Sequence, residues 1–199
     1  MVRQEVAAPT LRNVRWEGVF ADLEGQLAAQ SRRELDSEVA ERTRRERALV
    51  DLGARLSAST GASISVELVG GLRLEGALAD HGDGWLLLGG PGARSGAPRE
   101  VLVSLRALVW LAGLSPAAED GRPARRFGVG YALRALARDR ATVGLRLLGG
   151  GELGGTVDVV GADHLVLAEH AEGEPRRREN VRRLVTVPVR ALLAVESRR

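Results

Sequence analysis

The sequence predicts a mainly β protein. Two tandem small β-barrels, produced by an internal duplication, follow an N-terminal helical arm. Three observations carry this. Apolar residues fall at helical spacing over residues 16–58 and then alternate from Gly61 onward. The alternating block repeats 79 residues later, with eight of the 25 positions from 64 to 88 identical and no gap. Each copy holds five short strand-like runs separated by turn residues.

The elements follow in order. Residues 1–15 read as a flexible tail, with Pro9 and Thr10 breaking any early pattern. Residues 16–60 form the arm. Trp16, Phe20, Leu23 and Leu27 step by four, three and four, which is one helical face, and Leu35, Val39, Leu49, Leu52 and Leu56 extend it. Glu38–Arg42 and Glu41–Arg45 are supportive pairs with the acid first. The arm is one kinked helix or, since Ser31 and Glu34 have capping-box spacing, two helices with the second starting there.

Residues 61–113 form the first barrel. Ile64, Val66 and Leu68 make strand one, and Gly70-Gly71 the turn. Strand two runs from Leu72 to Leu78, and Trp85 to Leu88 make strand three. Residues 89–99 are a long Gly/Pro-rich loop. Val101, Val103 and Leu105 begin strand four, and Leu108 to Leu111 form a short fifth. Residues 114–126, with Pro116 and Pro123, are a linker. Residues 127–196 form the second barrel, led by a short helix over Tyr131–Asp139. A similar short helix over Leu49–Leu56 leads the first.

The matched glycines carry the barrel expectation. Gly149-Gly150 repeats the Gly70-Gly71 turn, where positive φ is needed. Gly76 and Gly155 sit inside strand two, where a missing side chain permits a sharp bend. A short sheet that bends this strongly closes on itself. The last strands align at a shift of 84, pairing Arg106-Ala107-Leu108 with Arg190-Ala191-Leu192. The five extra residues fall in the loop before strand four, where insertions are tolerated.

Each repeat resembles the Sm/LSm/Hfq class of small SH3-like barrels. The pattern is hydrophobic-x-hydrophobic-x-Leu, a Gly turn, Leu-x-Gly, a loop and an apolar strand. The Sm class places an Asn that contacts an RNA base in an Asp-x-x-Asn pattern after strand two. Here Asp80–Trp85 and Val159–His164 contain no Asn. The Arg-Gly of the second Sm motif is matched by Arg106-Ala107 and Arg190-Ala191, which keep the Arg only. As a whole, residues 16–196 are similar to an uncharacterised actinobacterial family. The similar segments start at Phe20, Glu38, Tyr131 and Gly155. Some members of that family carry a Fis-type transcriptional-regulator label. No compact helix-turn-helix follows the repeats here.

Composition narrows the chemistry. The 199 residues contain no Cys, which excludes disulfides, thiolate zinc sites and a cysteine nucleophile. All 29 basic residues are Arg. Residues 1–119 carry a net charge of −2 and residues 120–199 one of +5. A basic second half suits an anionic partner. No apolar run approaches the ~20 residues of a membrane span, and the first fifteen residues lack a signal-peptide core. A cytoplasmic location without membrane contact is expected.

No catalytic, cofactor-binding or metal-binding residue set is expected. Asp163-His164 and Glu169-His170 are sequence neighbours on strands, so their side chains point to opposite faces. Gly149-Gly150-Gly151 lacks the Lys-Ser/Thr of a phosphate loop. Two candidate surfaces remain. The Trp16, Phe20, Leu23 and Leu27 face either docks on the chain's own core or suits another protein. Arg176, Arg177, Arg178, Arg182 and Arg183, with Arg106 and Arg190, suit the phosphates of RNA or DNA. The first surface implies a non-enzymatic binding or scaffold protein, and the second a nucleic-acid-binding regulator.

Overall fold

Residues 13–90, 99–118 and 127–198 are described by a computed structural model of the chain. Most of the expected tail, residues 91–98 of the long loop and residues 119–126 of the linker lie outside them. The chain divides into two units, residues 1–50 and 51–199.

The first unit is one helix, α1 (Asn13–Ala48), of 36 residues. At 1.5 Å per residue it spans about 54 Å. The capping-box spacing does not start a new helix. Glu34 instead accepts a hydrogen bond from Gln30 Nε2 at 3.0 Å, an i,i+4 contact that continues the turn. Glu41 holds Arg45 at 3.4 Å and Arg44 at 3.5 Å, further links along the helix surface.

The second unit opens with α2 (Leu52–Ala58). Asp51 caps it, its carboxylate accepting from the Ala54 N–H at 2.7 Å. The arm expected over 16–60 is therefore two helices, and Leu56 of the second is fully buried under the strands that follow.

Those strands are β1 (Ser63–Leu68), β2 (Arg73–Gly82), β3 (Trp85–Gly90), β4 (Arg99–Ser104) and β5 (Leu108–Ala112). After α3 (Val129–Arg138) come β6 (Thr142–Leu147), β7 (Glu152–Val160), β8 (His164–Glu169), β9 (Arg183–Pro188) and β10 (Leu192–Arg198). All ten form one antiparallel sheet in the order β5-β1-β2-β3-β4-β10-β6-β7-β8-β9. The duplication is visible in the register. Ile64 opposes Gly76 as Val143 opposes Gly155. Leu86 opposes Val103 as Leu165 opposes Val187. The bulge at Leu78/Asp80 recurs at Val157/Val159.

The expectation of two closed barrels is not met in that form, because the sheet is open and continuous. Within each repeat the first and fifth strands pair, as β1·β5 and β6·β10. The outer edge of β4, however, pairs with β10 of the other repeat. Val103 opposes Ala194, Leu102 opposes Val195, and Val101 opposes Glu196.

The turn glycines act as expected. Gly70 and Gly71 have φ of 90° and 81°, and Gly149 and Gly150 have 89° and 85°, as a tight hairpin turn requires. At Gly76 an added Cβ would lie 2.7 Å from the Gly89 carbonyl oxygen, and at Gly155 2.1 Å from that of Ala168. Strand two can approach strand three this closely only without a side chain.

Two cores result. One holds Leu56, Ile64, Val66, Leu86, Val103 and, from the second repeat, Leu193 and Ala194. The other holds Leu133, Val143, Leu145, Leu165, Val195 and, from the first repeat, Trp85 and Leu102. Each core thus borrows residues across the β4·β10 joint. Leu102→Ala should cost about 2–5 kcal/mol, as a leucine cavity does. Chemical denaturation should still show one transition, since the lost side chain stands on a strand of the first repeat and packs in the core of the second. Two separated transitions in the parent protein would show that the cores are independent. Gly76→Val should destabilise by about 1–3 kcal/mol through overpacking, measured in the same way.

Candidate binding surfaces

The helix face comes first. On α1, Phe20, Leu23 and Leu27 are all exposed, at 59%, 48% and 63%. Leu35 and Val39 continue the exposure toward the C-terminal half. The Trp16 side chain lies outside the described residues. Large apolar side chains aligned on one helix face are a contact surface when left in water.

The arginine segment lies between β8 and β9, and it is less cationic than its sequence. Arg176 forms a two-pronged ion pair with Asp158 of β7, its Nε 2.6 Å from Oδ1. Arg183 pairs with Glu169 across the β8·β9 ladder. These bonds raise both guanidinium pKa values and lower that of Glu169, whose largest influence is the hydrogen bond from Arg183. Arg177, Arg178 and Arg182 are exposed and make no side-chain ion pair among the described residues. The segment is braced by its own backbone. Asn180 Nδ2 donates to the Pro175 carbonyl at 2.8 Å, and the Asn180 and Val181 N–H groups donate to the Arg177 carbonyl.

Arg106 and Arg190 occupy matching 3-10 turns, Leu105–Ala107 and Val189–Ala191. The fold brings them to one open cleft of about 780 Å³, shared with Asp83, Asp163, His164 and Val129 at the start of α3. Its charge is mixed. Contrary to the expectation that these neighbours point to opposite faces, His164 Nδ1 lies 2.9 Å from Asp163 Oδ1, because Asp163 lies in the bend before β8 and not on the strand; that hydrogen bond holds the Asp163 carboxyl below its usual range, with Arg190 adding a smaller effect. Arg106 and Arg190 thus share a surface that the Arg176–Arg183 segment does not line. Spacing could not show this meeting, because Arg106 and Arg190 lie 84 residues apart.

The two other histidines are buried. His170 is buried, with Nε2 2.9 Å from Thr156 Oγ1 and Nδ1 2.9 Å from the Ala171 carbonyl. His81 is buried with Nε2 3.3 Å from Ser57 Oγ. Trp85 Nε1 donates to the Phe127 carbonyl at 2.8 Å, and the Asp83 N–H donates to the same oxygen, tying the start of α3 to β3. Among the described residues no group of three or more His, Asp or Glu is placed to hold a metal, and no helix is long and apolar enough to cross a membrane. No family model matches the chain, and no curated protein or solved structure matches it either.

The Arg183–Glu169 pair yields a pH prediction. A carboxylate whose folded pKa is lowered stabilises the fold fully above its ordinary value of 4.5, and this contribution fades as pH falls through the folded value. Arg183→Gln should therefore shrink the drop in melting temperature between about pH 6 and pH 3. An unchanged drop would mean that the pair does not persist in solution.

Proposed function

We propose that this chain is a non-enzymatic binding and scaffold protein. In this reading the two repeats are Sm/SH3-like barrel units, and α1 offers its apolar face to a helical or apolar segment of another protein. The observation that supports it most is the exposure of Phe20, Leu23 and Leu27 on a 36-residue helix. Burying such a face is worth roughly 1.5–3 kcal/mol per large side chain. The mixed charge of the cleft and the neutralised half of the arginine segment point the same way. The reading includes a cytoplasmic location and kinship with the actinobacterial proteins that the sequence resembles.

A second reading, RNA or DNA binding, is favoured by one observation: Arg106 and Arg190 share a cleft, with Arg177, Arg178 and Arg182 exposed on the other side of β9 in sequence. Fluorescence anisotropy separates the two. Labelled random single-stranded RNA and duplex DNA are titrated with the full chain at low and physiological salt. The scaffold reading predicts no binding at physiological salt. Salt-steep binding that an Arg177→Gln/Arg178→Gln/Arg182→Gln variant abolishes would overturn it. Phe20→Ser/Leu23→Ser should leave the thermal transition of the sheet unit unchanged and abolish cross-linking of α1 to a co-purifying protein. Cross-linking that persists in this variant would remove the helix face from the account.

A further inference from the structure

A cavity of about 230 Å³ lies between helix α3 and the face of the sheet that carries the β4·β10 joint. Its floor is a row across four strands. Asp80 opposes Leu87, Leu87 opposes Leu102, and Leu102 opposes Val195. Leu136 of α3 bounds the other side, and Trp85 and Tyr131 add aromatic rings to the wall. The polar lining carries one sign of charge. Asp80, Glu100 and Asp139 supply three carboxylates. Among the described residues no guanidinium lines the cavity, in a chain where Arg outnumbers Asp and Glu together. Asp80 and Glu100 make no ion pair among the described residues.

A second observation is independent of the carboxylates. Ser197 also lines the cavity and is 8% exposed, yet its hydroxyl makes no hydrogen bond among the described residues. Buried polar groups are nearly always partnered. Continuing the register of the joint one residue past Val101 and Glu196 sets Glu100 opposite Ser197. Alternation puts both on the face of Leu102 and Val195. Asp139 is the C-cap of α3, where the last helix carbonyls add negative potential. The duplication supplies a control within the chain. Asp80 corresponds in register to Val159, Glu100 to Leu184, and Ser197 to Gly113. The other repeat builds the same strands without these polar groups, so strand pairing does not require them.

We propose that this cavity binds a small aliphatic amine. Its ammonium group donates to the Glu100 carboxylate and the Ser197 hydroxyl, and its hydrocarbon stem lies on Leu87, Leu102 and Val195. An ammonium has three N–H donors and no acceptor, which suits a lining of carboxylate and hydroxyl oxygens. The carboxylates repel an anion, and a neutral alkyl group leaves them and Ser197 unmatched. The volume falls below the roughly 300–1,000 Å³ of sites for drug-sized ligands, so the cavity takes a molecule of few atoms. Residues of both repeats line it, so a bound amine stabilises the joined sheet. The inference goes beyond the scaffold reading and makes no use of α1.

The test titrates the full chain with hexylammonium, 1-hexanol and hexanoate, which share a stem and differ in charge. Binding is read by amide NMR and by thermal melts. Hexylammonium should bind one to one with a Kd of about 1 mM or below, within reach of so small a ligand. It should raise the melting temperature and shift the amide signals of Glu100 and Ser197. Hexanol and hexanoate should bind about tenfold more weakly or worse, as loss of a charge-assisted hydrogen bond implies. Glu100→Gln should weaken hexylammonium by about the same factor. Glu174→Gln, at an exposed carboxylate outside the cavity, should leave its affinity unchanged. Three results would overturn the proposal: hexylammonium binding that does not saturate by about 10 mM, hexanol binding as tightly, or an unchanged affinity in Glu100→Gln. Amide-capped lysine binding more tightly than hexylammonium would assign the site to a protein side chain and overturn it too. Circular dichroism reports whether Glu100→Gln is folded. If it is not, Ala135→Phe fills the cavity from an exposed position on α3 and should abolish binding. Binding retained in that variant overturns the proposal.

Discussion

The antiparallel contact between β4 and β10 is the interaction on which the rest of the second unit depends. Only three residue pairs form it, yet they alternate sides of the sheet. Val103 and Ala194 point into one core, and Leu102 and Val195 into the other. A single short ladder therefore satisfies two backbone edges and completes two hydrophobic clusters. Without it, each repeat would be a five-stranded sheet with an exposed Leu102 or Val195 and an unpaired inner edge. Small sheets of that size are marginal when one face is incompletely covered.

The repeats themselves were legible in the sequence. Alternation from Ile64 and from Val143 marked the strands, and the Gly-Gly pairs marked the turns, because positive φ narrows the residue choice so strongly. Gly76 and Gly155 read as bends inside strand two, whereas what the missing side chain admits is the backbone of the adjacent strand. The joint was not legible. Leu102 and Val195 alternate like any half-buried strand, and alternation says which face is buried without saying which neighbour lies at the edge. The same limit explains why two closed barrels were expected where one open sheet is found. The sequence leaves open whether residues 16–48 form one helix or two, because Ser31 and Glu34 fit a cap, and a capping spacing is compatible with the middle of a continuous helix such as α1.

The candidate surfaces were legible in part. Spacing gave the Phe20, Leu23 and Leu27 face, and the structure adds that its side chains are exposed. The arginine segment did not keep its apparent charge, because Asp158 and Glu169 lie on neighbouring strands at sequence distances of 18 and 14 from their partners. Conversely, Arg106 and Arg190 gained significance by folding, since two equivalent turns converge on one cleft. Basic residues counted along a chain overstate the charge that a partner meets, and here two matched turns line one cleft. Both effects come from the strand pairing and neither from composition.

Amide hydrogen exchange, followed residue by residue over a range of protein concentrations, tests the account most directly. It predicts slow exchange at residues 101–103 and 194–196 at every concentration, because those amides belong to the joint. The outward amides of β5 and β9, at the two ends of the sheet, should exchange faster. Exchange at the joint as fast as at the outer edges would contradict the claim that β4 and β10 hold the two repeats in one sheet.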